Sequence, residues 1–326
     1  MAATAIAGKT DIPILKFEGT EHAAPKVSEN WPRVGYTEEQ LSQLEAVKKA
    51  IPDILSKTPE IRAEEEQWCD DACVLRYLRA TKWHTDATVK RIEKTLTWRR
   101  EYQPHKIDPA EVEPEAIHGK EYVCGFDLQG RPLLYLIPRK EHTKTYERQL
   151  KYVVFNLEKA IKAMPAGVES LNILIDYEGI SVFTAPPASQ AKKVLQILGE
   201  HYPERLGMGF LFNPSWYLWV FFKVVGPFID PVTRSKIHFV NLKKLEVARP
   251  KSASNSTRSL NGTPSSVTAA APTAEAPKEK EAEGMGGWTN PHFYIHPDML
   301  VKDYGGHFDF QYRHETYWKV LNETLP

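Results

Sequence analysis

Residues 209–230 read Gly-Phe-Leu-Phe-Asn-Pro-Ser-Trp-Tyr-Leu-Trp-Val-Phe-Phe-Lys-Val-Val-Gly-Pro-Phe-Ile-Asp, in a chain that is 26% charged. Lys223 is the only charge in that run before Asp230. A membrane-spanning helix needs about 20 apolar residues in succession. Here Asn213-Pro214-Ser215 interrupts near the start and Gly226-Pro227 near the end. The remainder, residues 215–225, is too short to span. Ser215 suits an N-cap and Gly226-Pro227 a stop. The helix so bounded is apolar nearly all round, and such a helix has to be covered on both sides. Two readings follow. Either it is a central core helix, or it is a lid with one face on an apolar ligand and the other on a bilayer when open. Trp and Tyr with a single Lys suit the bilayer interface.

The rest of the chain narrows the classes. Its 42 basic and 42 acidic residues cancel, which argues against nucleic acid as a partner. An apolar fraction of 42% suffices for a real core in 326 residues. The first residues carry no apolar run after a basic flank, so no secretory signal is read there. Cys69, Cys73 and Cys124 are too few for a disulfide framework, and no second pair completes a zinc site. They read as buried thiols in a reducing, cytoplasmic compartment. The sequons at Asn255, Asn261 and Asn322 then count as chance.

Spacing divides the chain. Residues 1–36 are dotted with proline and read as an irregular arm. Thr37 opens a helical stripe of Leu41, Leu44, Val47 and Ile51. Asp70-Asp71 opens a second helix with Val74, Leu75, Tyr77 and Leu78. Thr85 or Asp86 caps a third with Val89, Ile92, Leu96 and Trp98. Residues 37–106 are therefore a helical lobe. From 107 to 249 the pattern is strand and helix in alternation: strands at 133–137, 171–176, 209–213 and 236–240, helices at 151–164 and 189–199. Such alternation predicts a mostly parallel sheet. Residues 250–287 hold no aromatic residue and are rich in Ser, Ala, Pro, Thr, Glu and Lys. That composition predicts a disordered insertion. Order resumes over 288–326, with a closing helix at 315–322.

Several separated motifs share an order. They are Leu75-Arg76-Tyr77-Leu78-Arg79-Ala80-Thr81-Lys82-Trp83, Trp98-Arg99-Arg100, Asp127-Leu128-Gln129-Gly130-Arg131-Pro132 and Asp176-Tyr177-Glu178-Gly179-Ile180-Ser181. His201-Tyr202-Pro203-Glu204-Arg205-Leu206-Gly207 precedes the apolar run, and Gly226-Pro227-Phe228-Ile229-Asp230-Pro231-Val232-Thr233-Arg234-Ser235-Lys236-Ile237 closes it. Together they resemble the CRAL-TRIO lipid-binding family, in particular its fungal phosphatidylinositol transfer proteins of the pleiotropic-drug (azole) resistance branch. The resemblance covers about residues 60–245 and resumes at about 290–326.

That resemblance implies an α/β fold in which a helical N-terminal lobe precedes a sheet flooring a large apolar cavity, closed by a mobile helix. The apolar run falls where that gate belongs, with Trp216, Tyr217, Trp219, Phe221, Phe222 and Lys223 as its membrane contacts. It implies an inositol headgroup held by Lys82, Asp127, Glu204, Arg205, Thr233 and Lys236. It implies no cofactor: the bound molecule is the lipid, phosphatidylinositol. Transient contact with membranes, and presentation of the lipid to lipid kinases, complete the expectation for a cytoplasmic, peripherally membrane-associated protein. A two-chain lipid with roughly thirty methylenes loses on the order of 25 kcal/mol if its chains meet water. A carrier must therefore enclose them and open only at a bilayer.

Two departures bear on specificity. Thr81 stands where the family pattern has an arginine before the lysine. Leu171 and Ile173 stand where a serine and a threonine read phosphatidylcholine. Aliphatic side chains cannot hydrogen-bond a phosphate, so weak phosphatidylcholine binding is expected, with a more hydrophobic second ligand such as a sterol. An enzyme is not expected. The chain lacks a Gly-x-Ser-x-Gly elbow, a Gly-Lys-Ser/Thr phosphate loop and a His-Glu-x-x-His helix. A lipid hydrolase and a scaffold acting through 250–287 or the N-terminal arm are the alternatives.

Overall fold

The computed structural model describes residues 9–17, 27–180, 188–214, 218, 222, 224, 226–247 and 287–326. Helices α1 (Glu38–Ile54), α2 (Pro59–Trp68), α3 (Asp71–Ala80) and α4 (Thr85–Tyr102) come first. Thr37 caps α1 in a reciprocal box with Gln40, and the Asp70 carboxylate accepts from the Cys73 N–H at the head of α3. Leu44, Val47, Leu75, Leu78, Ile92 and Leu96 form the lobe's core. The first residue of α4 is preceded by His84, whose side chain makes no capping bond, so neither Thr85 nor Asp86 caps it. Helix α2 escapes the hydrophobic pattern because Pro-Glu-Ile-Arg-Ala-Glu-Glu-Glu-Gln-Trp carries almost no apolar stripe. All three cysteines are free and buried.

The second part contains α5 (Pro109–Ala116), β1 (Glu121–Phe126), β2 (Pro132–Leu136), α6 (Tyr146–Lys162), β3 (Leu171–Asp176), α7 (Ala188–His201) and β4 (Leu206–Phe212). A short α8 (Pro231–Ser235), β5 (Ile237–Val240), α9 (Leu242–Val247) and the closing α10 (His314–Thr324) follow. The strands form one sheet in the order β1-β2-β3-β4-β5. Only β1 runs antiparallel to its neighbour; the other three pairings are parallel. Strand β1 and helix α5 are not read from the sequence pattern; Glu121-Tyr122-Val123-Cys124-Gly125-Phe126 does not alternate apolar and polar residues. The insertion read over 250–287 lies outside the described residues, except for Gly287.

The register defines two faces. Leu134, Ile173 and Gly209 align across one face, as do Leu136, Ile175, Leu211 and Phe239. On the other face the C-terminal segment fills the surface. Tyr304 lies against Tyr135 and Phe212, Tyr294 against Phe210, and Phe310 against Tyr122. The Val301 N–H donates to the Tyr135 hydroxyl, and the Tyr317 hydroxyl bonds the Val123 backbone. At Gly125, φ is +82° and an added Cβ would lie 2.1 Å from the Met299 carbonyl oxygen, so only glycine lets this segment dock.

The two parts meet along α3, α4 and the end of α7. The Tyr77 hydroxyl donates to the His201 carbonyl at 3.1 Å, and Arg91 holds the Gly199 carbonyl. The His201 ring stacks on Trp98 at 4.2 Å, with rings 2° from parallel, and its Nδ1 meets the Thr95 hydroxyl at 3.1 Å. Burial there pushes the imidazole down from 6.5 to about 4, although Glu200 pulls the other way. The fold thus holds His201 neutral, while the unfolded chain protonates it near its ordinary value. Its contribution to stability is complete above about pH 6.5 and is lost as pH falls towards about 4. Denaturant midpoints measured between pH 7 and pH 4 should fall, and His201→Asn should flatten that fall. An unchanged slope in the variant would refute the assignment.

Candidate functional site

Strand β3 is central, so both its faces should be covered. The face towards the C-terminal segment is: Asn172, Leu174 and Asp176 are buried. On the opposite face Ile173 and Ile175, and Leu136 beside them on β2, stay partly exposed. Helix α6 covers the β1–β2 side of this face: the Tyr152 hydroxyl donates to the Glu121 carbonyl. Over β4 and β5, Leu218 is fully buried with Leu211, Ile237 and Phe239, and Phe222 packs beside them. Helix α7 meets α4, α6 and the Gly226–Phe228 turn. Its Val194, Leu195, Ile197 and Leu198 remain only half-buried. An apolar trough therefore runs along Leu136, Ile173 and Ile175, between α6 and the segment carrying Leu218 and Phe222.

That segment leaves β4 at Asn213, whose side chain donates to Asp176 at 2.9 Å, at the C-terminal edge of the sheet. It returns through Gly226, whose carbonyl accepts from Arg234 at 2.6 Å, towards the N-terminal edge, where β5 starts. Of its described residues, Leu218 and Phe222 pack with Leu211, Ile237 and Phe239 on this face. Of the expected gate residues, Trp216, Tyr217, Trp219, Phe221 and Lys223 lie outside the described residues. Phe222 is helical and half-buried.

Of the polar candidates, Asp127 and Lys236 lie at the N-terminal edge of the sheet. The Asp127 carboxylate, 3% exposed, accepts from the Gln129 and Arg131 N–H groups and from the Asn172 side chain, all at 2.8 Å. Asn172 in turn accepts from the Met208 N–H at 2.9 Å, and Lys236 Nζ donates to the Leu206 carbonyl at 2.9 Å. Gly207 lies so close to this network that a Cβ would stand 2.7 Å from Asn172 Oδ1. Burial raises the Asp127 pKa, against the donors that favour its ionised form. Both its oxygens are already engaged, so Asp127 organises the β1–β2 turn. Thr233 is the third residue of α8, and its N–H and hydroxyl both donate to the capping Asp230. Burial works against ionisation of Asp230, but those two donors win and hold its pKa below the ordinary value. Lys236 keeps two of its three N–H groups uncommitted among the described residues.

Glu204 immediately precedes this edge. It is partly exposed and makes no hydrogen bond or ion pair among the described residues. Lys82 is exposed at the end of α3 and likewise has no partner among them. These two share a second property: their φ angles are +59° and +53°. The left-handed region is costly for residues with a Cβ. At Lys82 it closes a Schellman turn, in which the Lys82 N–H bonds the Arg79 carbonyl and the Trp83 N–H the Leu78 carbonyl. Glycine is the ordinary residue there. Lys82 makes no contact with the other five candidates among the described residues. Arg205 turns away from the edge: its guanidinium donates to the Glu169 carbonyl at 2.7 Å and approaches the Met164 sulfur at 3.7 Å. Burial, and Arg76 beside it, pull its pKa down to about 10. Sequence reasoning quoted Arg131 and Gly207 only as motif residues and did not find Asn172, whose bonds to Asp127 and Met208 join separate strands. Among the described residues no group of His, Cys, Asp and Glu is placed to hold a metal, and no helix is long and apolar enough to cross a membrane.

Residues 117–252 match the CRAL/TRIO domain, and residues 43–94 match the CRAL/TRIO N-terminal domain. This is a CRAL/TRIO-domain chain. A CRAL-TRIO domain-containing protein of Schizosaccharomyces pombe is 37% identical over 268 residues, 82% of this chain and 22% of that protein. The phosphatidylinositol transfer protein PDR17 of Saccharomyces cerevisiae is 32% identical over 268 residues, 78% of this chain and 62% of that protein. The SEC14 cytosolic factor of Candida glabrata is 30% identical over 187 residues, 52% of this chain and 62% of that protein. The chain thus spans between about a fifth and three-fifths of these relatives' lengths. Among solved structures, the crystal structure of Sfh5 gives a TM-score of 0.49 at 19% identity, covering 62% of this chain and 80% of that one.

The Schellman position separates stability from site chemistry. Lys82→Gly should raise the thermal midpoint, by up to about 1 kcal/mol of stability, because glycine adopts the left-handed turn without strain. Scanning calorimetry of the two proteins checks this. A lowered midpoint would show that the lysine side chain itself stabilises the fold.

Proposed function

We propose that this chain is a non-enzymatic carrier that takes up phosphatidylinositol, with the acyl chains in the trough and the inositol phosphate at the N-terminal edge of the sheet. The observation that carries this reading is the partly exposed apolar face of a central strand, Ile173 and Ile175. A core without a ligand would bury that face. Relatives named as phosphatidylinositol transfer proteins support the choice of lipid. At the edge, Lys236 supplies a cationic donor to the phosphodiester and the Glu204 carboxylate accepts from ring hydroxyls, with Lys82 a further cation at the end of α3. The Thr233 hydroxyl, whose proton goes to Asp230, offers its lone pairs to another ring hydroxyl. Asp127 acts one step back, by fixing the turn and, through Asn172, the start of β4. Exchange leaves the lipid's covalent bonds intact, so its rate is set by opening the segment over the trough.

The strain at Glu204 and Lys82 agrees with this assignment. Backbone held in a rarely populated region persists where a side chain must be presented in a fixed direction. Exchange with bilayers makes the protein a transient visitor to membrane surfaces from the cytoplasm, and a lipid held by its headgroup at the protein's edge is suitably displayed for lipid kinases. Vesicle-to-vesicle transfer of labelled phosphatidylinositol tests the site. Glu204→Ala or Lys236→Ala should each slow transfer at least about tenfold, the loss of one charge-assisted hydrogen bond, with circular dichroism and sterol binding unchanged. Transfer at the wild-type rate in both variants would overturn the headgroup assignment.

Ile173 faces the trough and Leu171 is 1% exposed on the same strand. Neither carries a hydroxyl for a choline lipid's phosphate, so the second ligand is one with a smaller polar end, a sterol being the natural class. In the same assay phosphatidylcholine should be picked up far less than phosphatidylinositol. Equal pickup would refute this specificity.

A further inference from the structure

A second cavity, of about 340 Å³, lies at the seam between the helical lobe and the sheet-bearing part. It is separate from the trough. Its walls come from α2, α3 and α4 on one side, and from α6, the 164–169 connection and the 201–205 turn on the other. Three arginines face it: Arg76, Arg99 and Arg205. Each carboxylate at its wall is already engaged. Asp70 caps α3. Glu158 takes Arg99 at 3.4 Å and the Tyr202 hydroxyl at 2.6 Å. Glu169 is divided between Arg76 at 3.3 Å and Arg79 at 2.8 Å, neighbours on one face of α3.

Arg205 is left without a carboxylate. Its Nη1 donates to the Glu169 carbonyl and the Met164 sulfur, and its Nε and Nη2 donate to nothing among the described residues. Arg76, 7% exposed, also has N–H groups with no acceptor there. Two forks with spare donors beside one shared carboxylate make a local excess of positive charge. Guanidinium forks match the oxygens of a phosphate, and a dianion balances two of them. The remaining wall offers flat and apolar surface: Trp31, Trp68, Tyr202, Ile161 and Val168. The volume equals about eleven waters, room for a six-membered ring as well as a phosphate.

We propose that this seam cavity binds a phosphomonoester carried on a polar ring, such as a sugar or cyclitol phosphate, with the phosphate on Arg205 and Arg76 and the ring against the Trp68 and Tyr202 walls. The ligand bridges the two parts of the chain, because Arg76 belongs to α3 and Arg205 to the turn entering β4. It takes no part in holding the transported lipid, so its site and the trough are separable by experiment. A phosphomonoester reaches a protein either as a free small molecule or on a lipid headgroup.

Isothermal titration calorimetry of the full chain with myo-inositol 1-phosphate tests this. The expected result is binding at one molecule per chain, with inorganic phosphate weaker. Arg205→Gln should weaken it at least about tenfold by removing charge-assisted bonds. Val168→Trp fills the cavity without touching a charge. It should abolish the binding while leaving vesicle transfer of phosphatidylinositol unchanged, which keeps this test independent of the carrier function. No binding at millimolar ligand, or full binding by Val168→Trp, overturns the proposal. Equal affinity for inorganic phosphate overturns the role of the ring. Flotation with vesicles containing phosphatidylinositol 4-phosphate tells the sources apart. Vesicle binding that Val168→Trp removes, with no heat from the soluble phosphate, would refute a free ligand.

Discussion

A sheet buried in the middle of a protein has two faces to cover, and this chain covers them unequally. The face towards the C-terminus is packed by aromatic rings from residues 294–310, locked by the glycine at position 125. The other face meets α6 at one side and Leu218 and Phe222 at the other, and between them Leu136, Ile173 and Ile175 retain exposure. Aliphatic side chains of a central strand are worth about 1.5–3 kcal/mol each when removed from water. Leaving several half-covered forgoes part of that gain. In the proposed complex a lipid chain laid along the trough recovers that gain.

Polarity is segregated to one end of the same sheet. The Asp127–Asn172–Met208 relay consumes every buried polar atom it contains and sets the height of β4 against β3. Because that relay is self-satisfied, the groups that remain unengaged stand out. Lys82, Glu204 and the spare donors of Lys236 lie at the boundary with solvent, two of them on left-handed backbone. Unengaged groups beside an engaged network are held in place while staying free to take a partner.

The same reasoning separates Arg205 from its neighbour in sequence. Glu204 and Arg205 are adjacent, yet Glu204 has no polar partner among the described residues while Arg205 faces the seam, and the backbone turns at Glu204, where φ is +59°. The seam holds the two parts together through Tyr77, Arg91, Trp98 and His201 on one side of α4, and through the arginine and carboxylate cluster around Glu169 on the other. Any movement of the helical lobe relative to the sheet has to rearrange both.

Much of this architecture is legible in the residues alone. The Thr37 capping box, the helical stripe of Leu44, Val47 and Ile51, and the apolar strand ending at Asp176 are local patterns, governed by backbone hydrogen bonding and periodicity. The apolar run and the motifs around it pointed to a lipid-binding fold for the same reason: their meaning lies in their own order. Helix α2 and strand β1 were not legible, because neither carries its own periodic signal and both are held by neighbours distant in sequence. Only the tertiary structure decided that Asp127 is spent on a turn, that Arg205 looks into the seam, and that one face of β3 stays only partly covered. Those outcomes depend on which surfaces meet across strands and between the two parts, and the energy of a contact is not written in either partner alone.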